Sequence, residues 1–146
     1  MFWKKRIVLA GLLTALSLSV LSGQDNLLVN GDFEKGLEGW TLRGPWKICL
    51  ETSASGKSSG MIQLEKAQWN RLFQEIRLEP SAEYELEYYV KCRDVVLQPG
   101  AKFGGASVGV MGLKRQTLYG SGGAWKPDAG TCDWKKVKIS FNSKDL

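Results

Sequence analysis

Residues 83–93 read Glu-Tyr-Glu-Leu-Glu-Tyr-Tyr-Val-Lys-Cys-Arg. Tyr84, Leu86, Tyr88, Val90 and Cys92 fall on one face; Glu83, Glu85, Glu87, Tyr89, Lys91 and Arg93 fall on the other. Strict alternation at period two is the signature of a β-strand with one buried and one wet face. Trp134–Phe141 repeats the pattern, with Val137, Ile139 and Phe141 inward and Lys136, Lys138 and Ser140 outward.

Working outward, shorter segments of the same character appear. Leu27–Val29, Trp46–Glu51, Gly60–Leu64, Leu72–Leu78 and Ala106–Val110 all read as strands. Turn signals separate them: Ser53-Ala54-Ser55-Gly56, Glu79-Pro80-Ser81, Gln98-Pro99-Gly100 and the Gly-rich stretch 120–130. No amphipathic helix is evident after residue 24. About seven short strands with Gly, Pro and Ser turns predict an all-β, antiparallel β-sandwich or jelly roll.

The start of the chain is different. Lys4, Lys5 and Arg6 precede an apolar run from Ile7 to Val20, and small residues follow at Ser22 and Gly23. A basic n-region, a short apolar core and a small-residue cleavage site predict a signal-peptide helix over 1–23 and an exported domain over 24–146. The run is short for a membrane span, so no stable membrane insertion is expected after cleavage. The alternative is an anchor helix that stays attached. Leu21-Ser22-Gly23 resembles a lipoprotein site, but Gln24 stands where the acylated cysteine belongs. The expected location is secreted, extracellular or at the cell surface.

Without Lys4, Lys5 and Arg6, 20 bases fall to 17 against 15 acids, and the net charge from +5 to +2. No basic run or stripe remains, so no nucleic-acid partner is expected. The chain has no histidine, which excludes Ser-His-Asp and Cys-His nucleophiles and His-ligated metals. Of Cys49, Cys92 and Cys132, two can pair in an oxidising compartment, or all three can be buried thiols. Spacing does not choose between these, nor does it fit a zinc site. Gly56-Lys57-Ser58 hints at a phosphate loop, but Glu51 occupies the place of the required earlier glycine and no βα context follows. Gly104-Gly105 and Gly120–Gly123 lack the helix that a dinucleotide fingerprint needs.

Six tryptophans, five of them beyond the leader, are a high load for a small β domain. Tryptophan combines a flat apolar face with a polar edge, a surface on which the C–H face of a sugar ring can stack. Gln68-Trp69-Asn70-Arg71 mixes such a face with polar side chains. So do the outward positions around Tyr89 and Arg93, and Trp125 follows the Gly-rich loop. The candidate ligand-binding residues are therefore Gln68, Trp69, Arg71, Tyr89, Arg93 and Trp125. Trp40 and Trp134 read as core plugs. Trp69, near Leu72 and Phe73, is open to packing as well as stacking, and the charges around Tyr89 to being a solvated strand face.

Asn26-Leu-Leu-Val-Asn-Gly-Asp-Phe-Glu, with Gly39-Trp40, resembles the opening of the carbohydrate-binding modules of the CenC-like family 4/9/22 type. Gln74-Glu-Ile-Arg-Leu-Glu-Pro, the 84–93 strand and Trp134–Phe141 resemble later motifs of that family, in the same order. The resemblance implies a galactose-binding-like jelly roll that binds a polysaccharide or oligosaccharide without catalysis and targets a glycoside hydrolase to its substrate. It also implies a structural calcium, for which Asn30, Asp32 and Glu34 offer the oxygens that a hard cation prefers; the alternative is an Asn-Gly-Asp turn without metal. The family pattern continues past Phe141, so a C-terminal truncation is expected here, with one or two strands absent or supplied by a completing partner strand. A structural or adhesion module of the same fold without a glycan site is the second reading. A glycoside-processing enzyme would need two carboxylates across a cleft, and the acids here fall mostly at outward strand positions.

Overall fold

A computed structural model describes residues 5–9, 26–66, 68–97, 105–106, 108–112, 117–119 and 129–144. Its ordered elements are all strands: β1 (Lys5–Leu9), β2 (Thr41–Arg43), β3 (Trp46–Cys49), β4 (Ser59–Ile62), β5 (Arg71–Phe73), β6 (Glu83–Val95), β7 (Val110–Met111), β8 (Thr117–Tyr119) and β9 (Gly130–Asn142). Most of the leader expected as a helix lies outside the described residues; the five that are described, β1, are extended. The chain divides into two compact units, residues 6–76 and residues 77–146 with 1–5.

In the second unit, β6 and β9 form a long antiparallel ladder from Glu83↔Asn142 to Val95↔Gly130. The alternation read in the sequence sets its faces. Tyr84, Leu86, Tyr88, Cys92, Ile139 and Phe141 are buried, and each large apolar side chain so placed contributes about 1.5–3 kcal/mol. Tyr84 stacks on Phe141 at 5.7 Å between ring centroids, and its hydroxyl accepts the Glu79 N–H at 2.8 Å. The other face is not simply wet. Glu87 is only 3% exposed, because Lys136 and Lys138 reach across from β9 to its carboxylate at 2.7 and 3.4 Å. Beyond β9, Ser143 is fully buried. Its hydroxyl donates to the Glu79 carbonyl and accepts the Ala82 N–H, stitching the strand end to the Pro80-Ser81 turn. β7 pairs with β8 in a short antiparallel ladder.

In the first unit, β2 pairs with β5 and β3 with β4, both antiparallel. Leu27–Val29 is not a strand. The Gln74 carboxamide satisfies both the N–H and the carbonyl of Val29, so a side chain takes the place of a ladder neighbour. Residues 30–39 fold as successive turns. The Phe33 N–H bonds the Asn30 carbonyl, that of Gly36 the Phe33 carbonyl, and that of Trp40 the Leu37 carbonyl. Positive φ recurs every third residue, at Asn30 (50°), Phe33 (60°), Gly36 (66°) and Gly39 (80°). Asn and Gly adopt this region readily; Phe33 does so at a cost of about 1–3 kcal/mol. Burial offsets that cost: its ring stacks on Trp40 at 5.1 Å and lies over Gly60 of β4.

Candidate functional site

The expected residues separate into two groups. Gln68, Trp69 and Arg71 come together in the first unit. Tyr89 and Arg93 lie on β6 in the second. Trp125 lies outside the described residues.

Trp69 sits on the short segment that leads into β5, and it is 78% exposed. The other described tryptophans are half-buried. Trp40, expected as a core plug, is only half-buried; it stacks on Phe33 and its indole N–H donates to the Asn30 carbonyl at 3.0 Å. Trp46 turns its Nε1 into a buried position where it has no partner among the described residues. Trp69 is thus the one described indole whose face is open to a ligand.

Its surroundings are polar. The Arg71 guanidinium lies 6.0 Å from the centre of the Trp69 ring, within reach of the ring's negative face. The Asn70 amide donates to the Gln68 carbonyl at 3.0 Å. Gly44, at φ +106°, leaves the space that Asn70 fills: a Cβ there would collide with the Asn70 Oδ1. Arg43 on β2 is the register partner of Arg71 on β5, and both are exposed. Arg43 escaped the sequence reading because β2 has only three residues, too few to show a period.

In the second unit Tyr89 is half-buried, and Lys136, its register partner, places its ammonium 5.7 Å from the ring centre. On the same face Lys138 also bonds Glu85 at 3.1 Å. Burial pushes the Glu87 carboxyl up, but the hydrogen bonds and charges of Lys136 and Lys138 outweigh it, and the group titrates below the ordinary glutamate range. The bond to Glu87 holds the Lys136 ammonium above its usual range. Arg93 is exposed further along β6, beyond Lys91, which pairs with Asp133 at 2.9 Å. This face is a ladder of internally matched charges, and it presents less open ring surface than Trp69.

The three residues considered for calcium all brace turns. Asn30 donates to the Gly36 and Glu38 carbonyls and accepts the Lys35 N–H. Asp32 accepts the Glu34 N–H. Glu34 reaches across to accept the N–H groups of Lys57 and Ser58 at 2.7 and 3.0 Å. Among the described residues, no three His, Cys, Asp or Glu side chains gather in a metal-holding group.

The family model of a carbohydrate binding domain, of types 4 and 9, matches residues 25–145. No curated protein and no solved structure matches the chain. The match spans most of the sequence, so the chain belongs to this carbohydrate-binding family. The all-strand architecture agrees with the family's β-sandwich. Carbohydrate is its partner, and binding without catalysis is the function the family carries.

Proposed function

We propose that Trp69 is the platform on which a sugar ring of a polysaccharide or oligosaccharide stacks, with Gln68 and Arg71 bonding its hydroxyls. The observation that carries this reading is the 78% exposure of a large aromatic ring with a guanidinium beside it. Single exposed apolar side chains are ordinary on protein surfaces, but a flat indole face beside a guanidinium is a surface that a pyranose C–H face can cover. Tyr89, Arg93 and Trp125 are secondary candidates. Tyr89 is half-buried, so it serves as an edge contact rather than a platform.

The module acts outside the cell or at its surface after loss of the leader. The support is the basic stretch Lys4–Arg6 followed by the apolar run. Its use there is to hold a glycoside hydrolase, joined to it or associated with it, on a glycan. Calcium at Asn30, Asp32 and Glu34 is a separate part of the proposal. It is supported by three oxygen-bearing side chains close together in sequence and opposed by the engagement of all three in hydrogen bonds of the turns, Glu34 with Lys57 and Ser58. A rise in Tm with calcium after chelation, abolished by Asp32→Ala, supports it. An unchanged Tm leaves the turn held by hydrogen bonds alone.

The glycan reading is tested by affinity electrophoresis and pull-down of the protein on a panel of β-glucans, xylans and other polysaccharides, beside Trp69→Ala. Retardation by at least one glycan that Trp69→Ala removes, in a variant with unchanged circular dichroism, supports the platform. No retardation of the folded wild-type protein by any glycan supports the structural or adhesion reading.

A further inference from the structure

The three cysteines are placed unequally. Cys49 on β3 has Ser59 of β4 as its register partner, so no thiol stands opposite it. Cys92 on β6 and Cys132 on β9 are direct register partners. Directly opposite residues of an antiparallel pair project to the same face, with Cβ atoms about 4.5–5.5 Å apart. A disulfide needs about 3.5–4.5 Å between Cβ atoms, so closure draws the strands together by roughly an ångström. The ladder is irregular on both sides of this pair, between Val90 and Cys92 and between Cys92 and Val95. Such irregularities give the backbone room to adjust.

Cross-strand contacts fix the register on either side. Lys91 pairs with Asp133 at 2.9 Å. The Asp94 N–H donates to the Thr131 hydroxyl at 3.0 Å, and that hydroxyl donates to the Asp94 carboxylate at 3.1 Å. A slip of one residue would send the two sulfurs to opposite faces, and these contacts oppose it. Cys92 is 3% exposed and Cys132 is half-exposed, so a reagent from solution meets Cys132 first.

We propose that Cys92 and Cys132 form a cross-strand disulfide when the protein meets a small-molecule disulfide oxidant. The Cys132 thiolate attacks the oxidant's S–S bond, giving a mixed disulfide and releasing one small thiol. The Cys92 thiolate then attacks the Cys132 sulfur and expels the second small thiol. The two protons lost by the cysteines end on the released thiols, and the oxidant gains two electrons. The new bond ties off the base of the segment between β6 and β9, which carries Trp125. Cys49 stays a thiol.

The test equilibrates the full chain with an oxidised and reduced glutathione mixture, quenches it in acid, alkylates it in denaturant and maps the peptides without reductant. The expected result is one alkylated cysteine per chain, Cys49, with the Cys92 and Cys132 peptides linked. Reduction is expected to lower Tm by about 10 °C, the loss anticipated for opening a loop of roughly 40 residues. Cys132→Ser is expected to melt with the reduced protein and to show no response to oxidant. Three alkylated cysteines at equilibrium, or Cys49 found in the intramolecular link, would overturn the proposal.

Discussion

Gly60→Ala is the perturbation that probes the strained turn most sharply. An added Cβ would sit 3.0 Å from Cζ and 3.1 Å from Cε1 of Phe33. Both distances are tighter than ordinary contact, and Trp40, stacked on the ring face at 5.1 Å, limits its movement. Forcing the extra carbon in costs about 1–3 kcal/mol. Replacing glycine returns about 0.4–1 kcal/mol through the unfolded chain, since Gly60 does not require positive φ. The net expectation is a loss of about 1–2 kcal/mol. In a Phe33→Leu background the ring edge is gone, and the same substitution becomes neutral or gains about 0.5 kcal/mol. The coupling between the two sites is therefore about 1–2 kcal/mol, within the range for residues in contact. Urea melts of wild type, both single variants and the double variant, followed by tryptophan fluorescence, measure it. With a slope of about 1–3 kcal/mol/M, the Gly60→Ala midpoint falls by roughly 0.5–1 M. Additive effects, or a Gly60→Ala protein as stable as wild type, would refute the seating of Phe33 against β4.

Further outcomes are expected elsewhere. Tyr84→Phe keeps the ring against Phe141 but leaves the Glu79 N–H without its acceptor; equilibrium unfolding is expected to show a loss of about 1 kcal/mol, and no loss would deny that hydrogen bond. Glu87 titrates below its ordinary value because Lys136 and Lys138 outweigh its burial. It therefore contributes stability at neutral pH that is lost as pH falls through the lowered folded-state pKa. Glu87→Gln is expected to flatten that part of the acid limb in a Tm-against-pH series, and an unchanged acid limb would contradict the pairing. Trp69→Ala, at an exposed site, is expected to change folding stability by no more than about 0.5 kcal/mol. A larger loss would mark Trp69 as a packing residue.

The long strands were legible because their periodicity runs over many residues: β6 and β9 lie where alternation placed them, with Tyr84, Leu86, Ile139 and Phe141 inward. Shorter elements were not. Leu72–Leu78 reads as one strand, yet β5 ends at Phe73, because the next side chain, Gln74, leaves to bond Val29. That long-range bond also explains why Leu27–Val29 looks like a strand without being one. Glu87 was read as solvated; no local pattern reveals that two lysines from β9 will cover it. The positive φ of Phe33 was equally hidden, since only the spacing to Asn30, Gly36 and Gly39 hints at a three-residue turn repeat. At the site, Gln68-Trp69-Asn70-Arg71 was recognised by composition, but Leu72 and Phe73 made packing as good a reading as stacking. The exposure of Trp69 separates these, and the opposition of Arg43 to Arg71 needed the register of a strand too short to see.

The central claim is that a sugar ring stacks on Trp69. Its most direct measurement is calorimetric titration of wild type, Trp69→Ala and Trp69→Phe with an oligosaccharide of whichever glycan the panel selects. A ring that carries the binding predicts a loss of about 30-fold or more in affinity for Trp69→Ala, roughly 2 kcal/mol, with part of it retained by Trp69→Phe. Equal affinity in Trp69→Ala and wild type would contradict the account and move the binding site away from this residue.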